Sequence, residues 1–237
     1  MKEIQIDYQD QSTTLESTIV YRENHIARKP VICIFPTWSG KDDFTKDKAY
    51  QIAKMGYVAC VVDMYGKGRS GNSKEECSSL MNPLIEDRQL LKRRAMAGFL
   101  FAQSLPFVNP NQIGAIGFCF GGLCALDLAR SGADVKAVAS FHGLLNPPNK
   151  GTHPIKSKIL ALHGDQDPMV SAADLLNFKQ EMDNSKVDWQ LHVFGGAMHA
   201  FTNPQANDPE FGTVYHPLSD QRSWDYMQLF FSEIFNI

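Results

Sequence analysis

The sequence contains no apolar run approaching a membrane span. Its opening stretch, Met1-Lys-Glu-Ile-Gln-Ile-Asp7, lacks the apolar segment of an export signal. No basic cluster stands out, and a net charge of −3 gives no electrostatic case for a nucleic-acid partner. The seven histidines show neither H-x-x-x-H nor cysteine-rich ligand spacing, so no zinc site is expected. Five cysteines, an odd number without framework spacing, read as free thiols in a reducing compartment. There is no repeat, low-complexity tract or linker. These absences predict one cytoplasmic domain over residues 1–237, with no membrane contact. They leave the oligomeric state open, a monomer included.

What is present is an alternation of buried strands and helices. Ile4 to Tyr8 and Leu15 to Tyr21 read as an antiparallel hairpin across the polar turn 9–12. Val31 to Phe35, Tyr57 to Asp63, Ile113 to Ile116, Ala137 to Phe141 and Lys158 to His163 are continuous apolar runs, the pattern of strands buried on both faces. Helices are expected over 44–55, 83–104, 171–182 and 219–235, with Gly56 as a C-cap and Pro83 in a first turn. Val187 to Phe194 is a further strand, and a proline-rich loop is expected over 146–154. The fold class is therefore α/β: a mainly parallel sheet covered by helices on both faces, with the hairpin at one edge.

One stretch carries the chemistry. Ile113 to Ile116 runs at once into Gly117-Phe-Cys-Phe-Gly121, and a helical pattern follows through Arg130. Strand, tight turn and helix is the context of a G-x-S-x-G nucleophile elbow, here with Cys119 in the place of serine. The glycines are required because a β-carbon at Gly117 or Gly121 would strike neighbouring backbone. In such a turn the partners follow in the order nucleophile, acid, histidine. Asp165 and Asp167 lie just past a strand end, where functional groups of open α/β sheets gather. Asp167 is preferred because it reaches further over the tip. The base is expected at His199, in the loop Phe194-Gly-Gly-Ala-Met-His199, with His142 and His163 as competitors at the same sheet edge. The thiolate would attack an ester or lactone carbonyl, and the backbone N–H groups of Phe120 and Trp38 would hold the oxyanion. Tyr65, His142 and Phe201, at or past strand ends, are candidates to touch substrate. Cys33 and Cys60 read as core residues, Cys77 as an exposed thiol, and Asp127 as a structural group.

Gly117-Phe-Cys-Phe-Gly-Gly122, His163-Gly-Asp-Gln-Asp-Pro-Met-Val170, Met198-His-Ala-Phe-Thr-Asn-Pro204, Asp63-Met-Tyr-Gly-Lys-Gly-Arg69 and Asp220-Gln-Arg-Ser-Trp224 together resemble the dienelactone hydrolase family of α/β-hydrolases. The resemblance covers nearly the whole chain. It implies a Cys119, His199, Asp167 triad, an acyl-enzyme, a small ester or lactone as partner, and no metal or organic cofactor. Two departures affect the substrate pocket. Thr37 stands where the family carries a glutamate that helps activate the thiol. Of two arginines that grip a substrate carboxylate, Arg88 matches one, while Thr202-Asn-Pro204 stands where the other is expected. The competing readings are a lapsed hydrolase that binds without turnover and a thiol redox or sensor protein using Cys119 and Cys124.

Overall fold

The computed structural model describes residues 1–23, 28–149 and 153–236. Its frame is an eight-stranded sheet built from β1 (Lys2–Asp10), β2 (Thr13–Tyr21), β3 (Lys29–Phe35), β4 (Val58–Val61), β5 (Val108–Phe118), β6 (Ala137–Phe141), β7 (Lys158–Gly164) and β8 (Trp189–Phe194). The spatial order is β1-β2-β4-β3-β5-β6-β7-β8. β1 and β2 pair antiparallel, as does β2 with β4, and every pairing from β4 to β8 is parallel.

Alternation along the strands decides which residue faces which helical layer. In β3, Val31, Cys33 and Phe35 point into one core and Ile32 and Ile34 into the other. The first core is closed by α3 (Arg88–Ser104), α4 (Phe120–Arg130) and α5 (Ala172–Ser185), through Leu91, Phe99, Leu123 and Phe178. The second is closed by α1 (Asp43–Lys54) and α6 (Pro217–Phe235), through Ile52, Phe230 and Phe231. A two-stranded ribbon, β9 (Asn207–Asp208) with β10 (Thr213–Val214), lies outside the sheet. No helix among the described residues is long and apolar enough to cross a membrane.

The expected 83–104 helix is two helices, α2 (Lys74–Glu86) and α3. The break is Asp87, at φ −107° and ψ 85°, whose carboxylate accepts from the N–H groups of Gln89 and Leu90 and starts α3 afresh. Pro83 is accordingly near the end of α2 rather than in a first turn. The polar stretch 73–79 opens α2, with Ser73 as its cap, so Cys77 is buried rather than exposed. Of the proline-rich loop, residues 150–152 lie outside the described residues.

Arg88 opens α3 but turns away from the sheet edge where substrate is expected. Its Nε and Nη2 donate to both carboxylate oxygens of Asp127 on α4, at 2.7 and 2.8 Å, and Nη2 also reaches the Asn146 carbonyl. Arg130 completes the cluster, at 3.2 Å from Asp127 and 2.6 Å from Glu181 of α5. The side chains of Asp127 and Arg130 are almost wholly buried. A planar guanidinium meets a carboxylate with two parallel bonds, so this cluster fixes α3, α4 and α5 against one another. Removing one partner of a buried pair strands the other's charge. Asp127→Ala should therefore lower stability by about 3–5 kcal/mol. Urea unfolding followed by circular dichroism measures this, and an unchanged midpoint would refute the structural role given to Arg88.

Candidate active site

The cavity is assembled at the carboxyl end of the sheet. Strand β5 stops at Phe118, and Cys119 turns the chain into α4 with φ 56° and ψ −119°, a conformation seldom adopted by a residue carrying a β-carbon. The turn closes because its flanks are bare. A β-carbon at Gly117 would collide with the Gly121 carbonyl, and one at Gly121 with the Phe35 carbonyl of β3. The Cys119 side chain lines the cavity at the margin of the first core, and it is half-buried while the other four thiols are buried. The N–H of Phe120, first residue of α4, has no acceptor within its own helix.

His199 and Asp167 meet under this turn. Asp167 follows β7, and its Oδ1 accepts from the Met169 N–H at 2.8 Å, which leaves Oδ2 to His199 Nδ1 at 2.7 Å. Both side chains are almost fully buried. Asp165, the alternative acid, is exposed on the far side of the same turn. The other ring nitrogen, His199 Nε2, is buried with no hydrogen-bond partner among the described residues. Burial opposes charge on this ring and is the largest single influence. Attraction to the Cys119 sulfur, the hydrogen bond to Asp167 and the charge of Asp167 together outweigh it and raise His199 to about 10. His199 and Cys119 line the same cavity.

The two competing histidines have other surroundings. His163 lies within β7, is buried, does not line the cavity, and burial lowers its proton affinity. His142 does line it, but burial, followed by the charges of His199 and Lys48, presses it well below the ordinary range, so its ring is neutral. Its nitrogens are already engaged, one with the Cys119 N–H and one with the Thr202 hydroxyl.

The cavity holds about 410 Å³. Its apolar wall comes from Trp38, Phe44, Met81, Leu144, Met169 and Phe211. Thr37 and Phe120 also line it, whereas Tyr65, Arg88 and Phe201 do not. Tyr65 instead braces the wall from behind: its hydroxyl donates to the Trp38 carbonyl at 2.8 Å and its ring stacks on Phe120. Phe201 is wholly buried, packed edge-on against His142 at 5.1 Å. Both were expected to touch substrate because they sit near strand ends. The strand end fixes only the backbone, and these two side chains fold back into the core. Thr37 bonds Ser39 Oγ at 2.7 Å, and Ser39 in turn donates to Asp42 at 2.7 Å. The carboxylate nearest this position in the loop is thus two hydrogen bonds away.

Sequence reasoning missed the rim. Residues from the β9–β10 ribbon arch over the mouth, where Phe211 stacks on Trp38 at 5.8 Å. Lys74 of α2 pairs with Asp208 at 2.6 Å and lies 4.5 Å from the Phe211 ring centre. The ribbon is tied to the base loop, because the His199 N–H donates to the Gly212 carbonyl and the Val214 N–H to the His199 carbonyl. A two-residue pairing has no periodicity to find in the sequence. Among the described residues there is no group of three His, Cys, Asp or Glu side chains arranged to hold a metal ion.

Comparisons with known proteins agree with this architecture. The model of the dienelactone hydrolase family matches residues 16–235. A Bradyrhizobium protein named as a probable 2-oxo-3-(5-oxofuran-2-ylidene)propanoate lactonase is 28% identical, over 94% of this chain and 92% of its own. The crystal structure of a dienelactone hydrolase-like promiscuous phosphotriesterase from metagenomic libraries superposes with a TM-score of 0.94 at 34% identity, covering 99% of this chain and 98% of that one. Dienelactone hydrolase from Anabaena variabilis, at 18% identity, TM-score 0.65 and coverage of 95% and 97%, shares the fold. With the elbow, the sheet order and a match over nearly its whole length, the chain belongs to the dienelactone hydrolase family.

Proposed function

We propose that this chain, acting as one domain over its 237 residues, hydrolyses a small carboxylic ester or lactone with Cys119 as nucleophile, His199 as base and acid, and Asp167 as the group that orients the imidazole. The observation that carries the reading is the buried His199–Asp167 contact at 2.7 Å, with Nε2 left without a partner among the described residues and Cys119 on a strained turn lining the same cavity. The names of the relatives, a lactonase and a dienelactone hydrolase-like enzyme, agree with it. Thiol exchange between Cys119 and Cys124 is disfavoured, because Cys124 is fully buried in α4 and burial pushes its thiol up.

The proposed reaction runs through a thioester on Cys119. At the start of the cycle the thiol proton is already held on His199 Nε2, as the raised proton affinity of that ring favours, and the thiolate attacks the carbonyl carbon. The carbonyl oxygen takes up the electron pair as an oxyanion, held by the N–H groups of Phe120 and Trp38. Collapse expels the alkoxide, which takes the proton from His199 and leaves a thioester on Cys119. Water, deprotonated by the now neutral His199, attacks the thioester, and the second collapse returns the thiolate and releases the acid. Asp167 stays ionised throughout, holding the Nδ1 proton and balancing the imidazolium.

The cavity bears on substrate charge. Its charged lining residues, apart from the histidines, are Asp42, Lys74 and Asp208, and Lys74 is already paired with Asp208. Arg88 is held by Asp127. An anion placed here meets no free cation among the described lining residues, and burying an unpaired charge is unfavourable.

Three outcomes are expected. Cys119→Ala should abolish turnover of an activated aryl ester and Cys124→Ala should retain most of it, while His199→Ala lowers kcat by about 10²-fold or more. Undiminished turnover by Cys119→Ala would remove the proposed nucleophile. Second, the folded state holds the His199 proton more tightly than the unfolded chain does. Its contribution to stability is therefore full below about pH 6.5 and lost as pH rises to about 10. Cys119→Ala, which removes the attraction that does most to raise the ring, should move the His199 titration downwards in an NMR pH series; no movement would dissociate the two side chains. Third, a neutral ester should be hydrolysed with kcat/KM about tenfold or more above that of its carboxylate-bearing counterpart, since a single missing charge-assisted contact is worth that much. A preference for the anion would place an unrecognised cation at the site.

A further inference from the structure

We propose that His142 is a positioning residue for the reaction set out above: its ring ties the nucleophile turn to the loop that carries the base. The inference rests on that reading of the site, and its observations are separate from those that carry it. The Cys119 N–H is shared between the Phe141 carbonyl at 3.0 Å and His142 Nδ1 at 3.2 Å. Accepting at Nδ1 places the ring proton on Nε2. That nitrogen then donates to Thr202 Oγ1 at 2.8 Å. Thr202 is wholly buried and follows His199 by three residues. One flat, rigid ring therefore spans from the backbone of the nucleophile to the segment of the base.

The ring has little freedom to do anything else. Its own backbone is held at φ 39°, in the left-handed region, by the bond from its N–H to the Leu162 carbonyl at 2.8 Å. His199 meets it edge-on at 5.2 Å and Phe201 at 5.1 Å. Protonation would turn Nδ1 from acceptor to donor and set it against the Cys119 N–H. The burial that keeps His142 neutral thus also preserves the bridge. The elbow is rigid in itself, because its glycines are locked against β3. The His199 loop is held through its backbone to the ribbon at Gly212 and Val214, and the His142 ring adds the link from this segment to the nucleophile turn. A shift of that loop by a fraction of an ångström alters the approach of Nε2 to the sulfur without altering the walls that hold substrate.

Thr202 is the place to test this, because it does not line the cavity. Thr202→Val keeps the shape and removes the acceptor. It is expected to lower kcat by about tenfold with KM changed less than about twofold, the pattern of lost alignment rather than lost binding. Thr202→Ser keeps the hydroxyl and should restore kcat. His142→Asn tolerates the positive φ and keeps an acceptor near the Cys119 N–H but cannot reach Thr202. If Thr202 acts through the ring, the double variant should be no slower than His142→Asn alone. Iodoacetamide alkylation of Cys119, the one thiol that is not buried, reports alignment without any substrate and should slow in Thr202→Val and recover in Thr202→Ser. Full kcat in Thr202→Val, failure of serine to rescue, losses that multiply in the double variant, or a kcat loss that only tracks the unfolded fraction in urea would each overturn the bridge. Turnover that survives Cys119→Ala would instead refute the proposed function, and the alkylation rates alone would then decide the inference.

Discussion

The structure depends on a backbone crossing that only glycine permits. Strand β5 and helix α4 meet at an angle so tight that the Gly121 carbonyl occupies the space of a β-carbon on Gly117, and the Phe35 carbonyl that of one on Gly121. The central residue must then adopt a positive φ, and Cys119 carries that strain. The reward is positional. A thiol is presented at the carboxyl end of β5, half-buried and lining the cavity, next to the first N–H of α4. The polar groups of the site are placed relative to this point by the ends of strands on either side: Thr37 and Trp38 follow β3, His142 follows β6, Asp167 follows β7 and His199 follows β8.

Electrostatics does the second half of the work. A histidine as deeply buried as His199 would ordinarily stay neutral, as His142 does a ring's distance away. The two differ in their partners. His199 faces a carboxylate on one side and a cysteine sulfur on the other, while His142 faces a backbone N–H and a hydroxyl. One cavity thus keeps two imidazoles in opposite states, one suited to moving protons and one to holding still. The division is set by hydrogen-bond partners rather than by depth.

How much of this was legible in the sequence follows the range of the forces involved. The parallel strands could be read because burial on both faces leaves a continuous apolar run, and the elbow because sterics demands glycine at fixed offsets. The order nucleophile, acid, histidine pointed to His199 and the reach past the strand tip favoured Asp167 over Asp165, and the structure brings those two side chains together. Other details depend on tertiary context. Pro83 resembles a helix start until Asp87 is seen capping the next helix. Tyr65 and Phe201 lie where substrate contact is plausible, yet their side chains turn inwards to brace Trp38 and His142. The β9–β10 ribbon has only two residues to a strand, too few for any periodicity.

Arg88 shows why a matching residue type need not bring a matching role. An arginine fork binds a substrate carboxylate or a protein carboxylate by the same two bonds. Asp127, with its side chain fully buried, offers a partner that is always present. Arg130 shares that carboxylate and is itself neutralised by Glu181, so the cluster is balanced without a ligand. For Arg88 to grip a substrate, it would have to abandon Asp127 to a buried environment, a loss on the order of 3–5 kcal/mol that a single exposed carboxylate contact does not offset. The guanidinium is therefore committed to the fold. The cavity is left with apolar walls, one lysine already paired at its rim and, in the proposed reaction, a chemistry that rests on Cys119, His199 and Asp167 rather than on recognition of charge.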